Sequence, residues 1–275
     1  MYTIVYSIIR KTLRTFVTCS RKTLIGVFVC ERLVRQSHGE MDRFMRLLVW
    51  CSAIWVALAS FAAADDPVVV ELYTSQGCSS CPPADKMLAA LSDRSDIIVL
   101  ALHVDYWDYI GWKDEFADPA HTVRQRGYAR AAGKRSIYTP QMVIGGVDRV
   151  AGANTMQLME YIEMHRRAAK PAAVTLGRDG DRVSVSIRAT GPMPSEGAVV
   201  QVATVTPSAT VDIRRGENAG RTLEYHNIVR KLIEIGEWNG RGTYRASVKV
   251  PDGVRVVVFV QQSTSGPILG AAQLR

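Results

Sequence analysis

The hydrophobic pattern has two textures that meet near residue 171. From Pro67 to Thr74 the chain runs PVVVELYT, a β-branched and aromatic run suited to a buried strand. Gln76-Gly77 interrupts it. Cys81-Pro82-Pro83 then opens a helix, because proline is tolerated in a first turn whose N–H groups have no intrahelical partner. Ala84, Met87, Leu88 and Leu91 follow at i, i+3, i+4 and i+7, one apolar face. Ile97 to Val104 predicts a second strand, and residues 105–118 are irregular and aromatic. Asp118-Pro119 reads as the cap and first position of another helix, with Gly133 as its stop. Gln141–Ile144 and Val147–Val150 flank Gly145-Gly146 as a hairpin. Asn154 caps a helix that turns Leu158, Met159 and Ile162 inward, and Pro171 ends it.

Beyond Pro171 the period becomes two. Val183-Ser184-Val185-Ser186-Ile187 alternates, and Val199–Val205, Tyr244–Val250 and Val254–Val260 are further β runs punctuated by glycine. The expected fold class is therefore α/β, with an α/β domain over residues 65–170 and a C-terminal antiparallel β-sandwich-like domain over 171–275.

The N-terminus reads as an address. Arg43 and Arg46 precede an apolar stretch from Leu47 to Phe61, and Ala62-Ala63-Ala64 supplies small residues before Asp65. That is the layout of a secretory signal peptide over residues 41–64, predicting a periplasmic or secreted protein. Fifteen apolar residues are short for a membrane span, which needs ~20, so no membrane association is expected after cleavage. Residues 1–40 are basic and apolar without a pattern, and read as an over-extended or disordered N-terminus ahead of a start at Met41.

Charge changes the picture little. The formal net charge is +8, but residues 1–40 carry a net five of it and residues 41–64 one. The mature chain is nearly neutral, so the basic pI near 9.4 does not point to a nucleic-acid partner. Signal cleavage would also remove Cys19, Cys30 and Cys51 and leave Cys78 and Cys81 alone in an oxidising compartment.

Cys78 and Cys81 carry the candidate chemistry. Two thiols three apart at a strand-to-helix junction can close a small disulfide ring. A thiol at a helix N-terminus, where Cys78 is expected, ionises more readily, and the thiolate is the nucleophile of thiol–disulfide exchange. Cys78 would attack and Cys81 would resolve the mixed disulfide. The same pair could form a static disulfide in a non-catalytic interaction protein. With His103 at the end of the second strand it could bind Cu(I), as in a metal-delivery protein, although a histidine packed at a strand end is the favoured reading of His103. Structural zinc lacks a second C-x-x-C. No H-E-x-x-H, P-loop, nucleophile elbow or dinucleotide fingerprint is present.

ELYTSQGCSSC followed by TPQMVIGG and VAG resembles the thioredoxin superfamily, with a glutaredoxin-like flavour in both motifs. The resemblance implies a thioredoxin-like domain with a helical and aromatic insert over 105–136. Cys78 would be its nucleophile and Cys81 its resolving cysteine. Pro140 would be the cis-proline beside the sulfurs, and Thr139 the residue whose backbone pairs with substrate. Glu71 lies near the position of a buried proton-shuttling acid, though one residue further from Cys78 than the superfamily spacing; otherwise it is a solvent-facing strand residue. No resident cofactor beyond the redox-active disulfide is implied. The partners implied are protein or small-molecule thiols and disulfides, and a redox partner. VDYWDYIGWKDEF, YTPQ and GENAGRTLEYHNIVR together resemble a family of secreted bacterial proteins catalogued as domain of unknown function 1223, over roughly residues 67–275. Tyr106, Trp107, Tyr109, Trp112 and Phe116 would form either a platform over the sulfurs or a packed loop.

Overall fold

The first strand run becomes β1 (Val68–Thr74), buried along its whole length. A strand with no polar face needs cover on both sides and a neighbour at each edge. The structure is a computed structural model that describes residues 66–275, and it supplies all four. The signal segment and leader expected over 1–64 lie outside the described residues. β2 (Ile97–His103) pairs with β1 in parallel from Val68↔Ile97 to Thr74↔His103. β3 (Gln141–Ile144) pairs antiparallel on the other edge and β4 (Asp148–Ala151) extends it. On one face, α1 (Pro82–Ala90) and α3 (Thr155–Arg167) bring Leu88, Leu158 and Ile162 against Val68, Val70 and Leu72. On the other face, Val69 and Tyr73 pack with Tyr128 of α2 (Pro119–Ala131). The caps close by side chain: Asp118 accepts from Ala120 N–H at 2.8 Å and Asn154 from Gln157 N–H at 3.1 Å.

β2 is as buried as β1, so its second edge also needs a partner. β8 (Arg221–Trp238) takes it, parallel at Ala101↔Ile228. β8 and β7 (Ala198–Ile213) form a long antiparallel hairpin, followed outward by β10 (Arg255–Gln261) and β11 (Ile268–Leu274). The main sheet is mixed, in the order β11-β10-β7-β8-β2-β1-β3-β4. A second, antiparallel sheet contains β5 (Ala172–Asp179), β6 (Arg182–Ala189) and β9 (Thr243–Lys249). It packs Val183, Val185 and Ile187 onto Val200, Val202, Val256 and Val258 of the main sheet.

The protein is thus mixed α/β, with a large mixed sheet and a smaller antiparallel one. The boundary expected near residue 171 marks entry to the second sheet but does not interrupt the first. Residues Asp65–Arg275 are one compact unit, because the exposed edge of β2 is closed by a hairpin from the second half. The β7–β8 register shifts between Val200 and Gln201 and again between Thr204 and Val205, and the far end of the hairpin reaches the cysteine loop. Among the described residues no helix is long and apolar enough to cross a membrane.

Candidate functional site

The cysteine loop leaves β1 at Thr74 and enters α1 at Pro82. Cys78 and Cys81 form a disulfide with Cα atoms 5.4 Å apart. Both residues are fully buried, while Ser79 and Ser80 between them are exposed. The N-cap of α1 is Cys81, not Cys78: Pro82 and Pro83 occupy the first turn, and Ala84 and Asp85 donate their N–H groups to the Cys81 carbonyl. The Cys78 sulfur instead meets the Ser80 hydroxyl at 3.4 Å.

Thr139-Pro140 is a cis peptide bond. The Trp107 indole N–H donates to Thr139 Oγ1 at 2.7 Å. Trp107 also borders the cysteine loop, since a Cβ at Gly77 would lie 3.2 Å from Trp107 Cβ and 3.0 Å from Ile110 Cδ1. Gly77 therefore permits a close approach at which a larger residue would press on both side chains. Cys78, Cys81, Thr139 and Pro140 are thus joined through one aromatic segment. Its 105–110 part is a 3₁₀ helix rather than irregular chain. Trp112 donates to Gln76 Oε1 at 2.7 Å, Tyr106 to Gln125, and Phe116 is buried. Tyr109 stays exposed, at 81%.

His103 sits behind the loop. Its Nδ1 lies 2.7 Å from Asp114 Oδ2, and its ring stands edge-on to Phe116 and Tyr225 at 5.3 and 5.0 Å. The same Asp114 oxygen accepts from Gln76 N–H at 2.8 Å, tying the histidine to the cysteine loop. Burial pushes the Asp114 carboxyl up, but His103 and the backbone donors outweigh it and hold the group below its ordinary value. The alternative ligand set of Cys78, Cys81 and His103 is not assembled: the sulfurs are bonded to each other and His103 faces Asp114. Among the described residues no cluster of three or more His, Cys, Asp or Glu is placed for a metal.

Glu71 is neither solvent-facing nor beside the sulfurs. It shares the β1 face with Val69 and Tyr73, opposite α1, because side chains alternate along a strand. Arg124 Nε donates to Glu71 Oε1 at 2.6 Å and Tyr128 OH to Oε2 at 2.5 Å. Arg124 also donates to Gln201 and Gln261, so this buried ion pair joins α2 to β7 and β10.

The structure adds residues that spacing alone did not mark. Asp85, one helical turn after Cys81, is 7% exposed, and its Oδ2 has no hydrogen-bond partner. Burial raises its carboxyl to about 7, against opposing pulls from His103 and Thr74. Asp85, Pro82 and Lys86 also line a cleft of about 550 Å³ with Arg221, Tyr225 and His226 of β8. Asn218, at the β7–β8 tip, donates to the carbonyls of Gln76 and Cys78, each at 2.9 Å. Glu217 accepts from Ser79. The signal for both was the GENAGR stretch, which carries no spacing relation to cysteines some 140 residues away.

Comparison with known proteins bears on identity. The profile of a family described as Protein of unknown function (DUF1223) matches residues 69–261. No curated protein matches the chain. The X-ray structure of a structural-genomics target protein from Agrobacterium tumefaciens is 33% identical, with a TM-score of 0.62 over 75% of this chain and 93% of that one. A hypothetical protein from Pyrococcus horikoshii OT3 is 13% identical at a TM-score of 0.22, over 40% of this chain and 90% of that one. A superoxide reductase in its oxidised state is 13% identical at a TM-score of 0.22, over 40% of this chain and 91% of its own. At those scores the last two carry no argument about fold or function. The match across residues 69–261 shows that the chain belongs to the DUF1223 family of proteins of unknown function.

Proposed function

We propose that this chain is an exported thioredoxin-like thiol–disulfide oxidoreductase, acting in the periplasm or outside the cell on protein or small-molecule thiols and disulfides. The observation that carries the reading is the Cys78–Cys81 disulfide at a strand-to-helix turn, joined through Trp107 to Thr139-Pro140. In the reducing direction the Cys78 thiolate attacks one sulfur of a substrate disulfide. One substrate thiolate leaves and takes a proton, and a mixed disulfide forms on Cys78. The Cys81 thiolate then attacks the Cys78 sulfur, releasing the second substrate thiol and restoring the ring. Two electrons pass from the dithiol to the substrate, and a redox partner must return them. The oxidising direction is the same sequence reversed. Asp85, with its carboxyl raised to about 7, is a buried group that can exchange a proton near neutral pH.

One observation favours a second reading, a structural disulfide in a non-catalytic interaction protein: neither cysteine has exposed surface. The test is equilibration of protein beginning at Asp65 in glutathione buffers, with free thiols counted by alkylation and mass. Exchange catalysis expects a potential between about −120 and −270 mV, trapping of mixed disulfides by Cys81→Ser, and none by Cys78→Ser. A potential below about −300 mV with no trapping overturns it in favour of the structural disulfide.

A further inference from the structure

The dithiol ring has an acidic neighbour from the far end of the chain. Glu217 Oε2 accepts from Ser79 N–H at 3.2 Å and from Ser79 Oγ–H at 2.7 Å. These two bonds hold the Glu217 carboxyl below its ordinary value, so it is charged at neutral pH. Ser79 follows Cys78 directly, which places a full negative charge on the neighbour of the attacking sulfur. The same contact occupies Ser79 N–H, a backbone donor of the ring. Arg221, a cation just beyond the loop, does not cancel the charge by pairing; its Nη1 donates to Asn218 Oδ1 at 2.7 Å.

We propose that Glu217 is a positioning residue for the dithiol, opposing ionisation of Cys78 and so favouring the disulfide over the reduced pair. The inference rests on reading Cys78 as the exchange nucleophile and adds a regulator to that site. A negative charge beside a sulfur destabilises its thiolate, and a less stable thiolate makes the reduced state less favourable. Glu217 is exposed, so solvent screens the effect and its size is that of a surface charge contact.

The experiment compares wild type, Glu217→Gln and Glu217→Ala in the full chain. Glutamine removes the charge and keeps an oxygen for Ser79, whereas alanine removes both. Iodoacetamide alkylation of the Cys78 peptide of reduced protein is followed by mass across pH, beside equilibration with glutathione. For Glu217→Gln the Cys78 thiolate fraction at pH 6 should rise about two- to fivefold, and disulfide formation should be disfavoured by a similar factor only at a pH where Cys78 is fully ionised in both proteins. A wild-type alkylation curve for Glu217→Gln overturns the proposal, whether or not Glu217→Ala changes it. Failure of the oxidoreductase reading looks different: the wild-type protein exchanges with no disulfide, and the alkylation curves alone then decide the role of Glu217. Near-UV circular dichroism checks that both variants keep the fold.

Discussion

The side-chain amide of Asn218 donates to the main-chain carbonyl of Cys78 at 2.9 Å, so the tip of the β7–β8 hairpin is bonded directly to the disulfide ring. The same nitrogen donates to the Gln76 carbonyl, and Asn218 is buried. Its two N–H bonds thus satisfy two carbonyls of a loop with no strand partner. The second half of the chain completes the candidate site as well as the sheet.

Asn218→Ala should therefore take the side-chain donor from the Gln76 carbonyl and leave the Cys78 carbonyl with the Cys81 N–H at 3.2 Å alone. The expected cost is about 1–3 kcal/mol of stability, measured by urea unfolding of the oxidised protein. Reduction of the disulfide by dithiothreitol should be faster than in wild type. Unchanged stability and reduction rate would show that the amide is not holding the loop.

Glu71→Gln tests the reassignment of that carboxylate. Removing one charge of a buried pair leaves Arg124 uncompensated, and a loss of about 3–5 kcal/mol is expected. The Cys78–Cys81 potential should stay at its wild-type value, because Glu71 faces away from α1 and the cysteine loop. A shift in potential without loss of stability would restore Glu71 to the sulfur chemistry.

Asp85 predicts a pH dependence of the opposite sign to that of a salt-bridged acid. Its carboxyl is raised in the folded protein from 3.8 to about 7, so the folded state holds the proton more tightly than the unfolded one. Stability is greatest below the unfolded value, falls as pH rises through that window, and levels off above about 7. The total loss is at most about 4 kcal/mol. Asp85→Asn should flatten this slope and raise the melting temperature at pH 8. An unchanged slope would place the titration on another group.

Much of the first half was legible from local pattern. The β1 and β2 runs are unbroken and apolar, α1 is punctuated by Pro82-Pro83, and α2 and α3 carry Asp118 and Asn154 at their caps. Each signal is physical and short-range: a run that excludes water, a ring that fixes φ, a side chain that takes an N–H. The C-x-x-C spacing likewise placed two sulfurs within bonding reach. β8 was not legible, because the like pairs His226-Asn227, Ile228-Val229, Arg230-Lys231 and Leu232-Ile233 break its period of two. It is a strand because β2 offers it an edge and β7 a partner.

What the sequence determined by itself was therefore local: strand and helix positions before residue 171, the β runs that became β6, β7, β9 and β10 after it, and a pair of cysteines able to close a ring. Tertiary structure decided which face each polar residue occupies and which distant residues meet. Glu71 and Asp85 are both acids near the cysteines in sequence, yet one is spent on Arg124 across the sheet and the other is buried on α1. Glu217 and Asn218 lie far along the chain and end on the cysteine loop. No local pattern encodes such meetings. They arise because buried strand edges and buried carbonyls must find partners, and the partner is whichever segment the packed chain brings within reach.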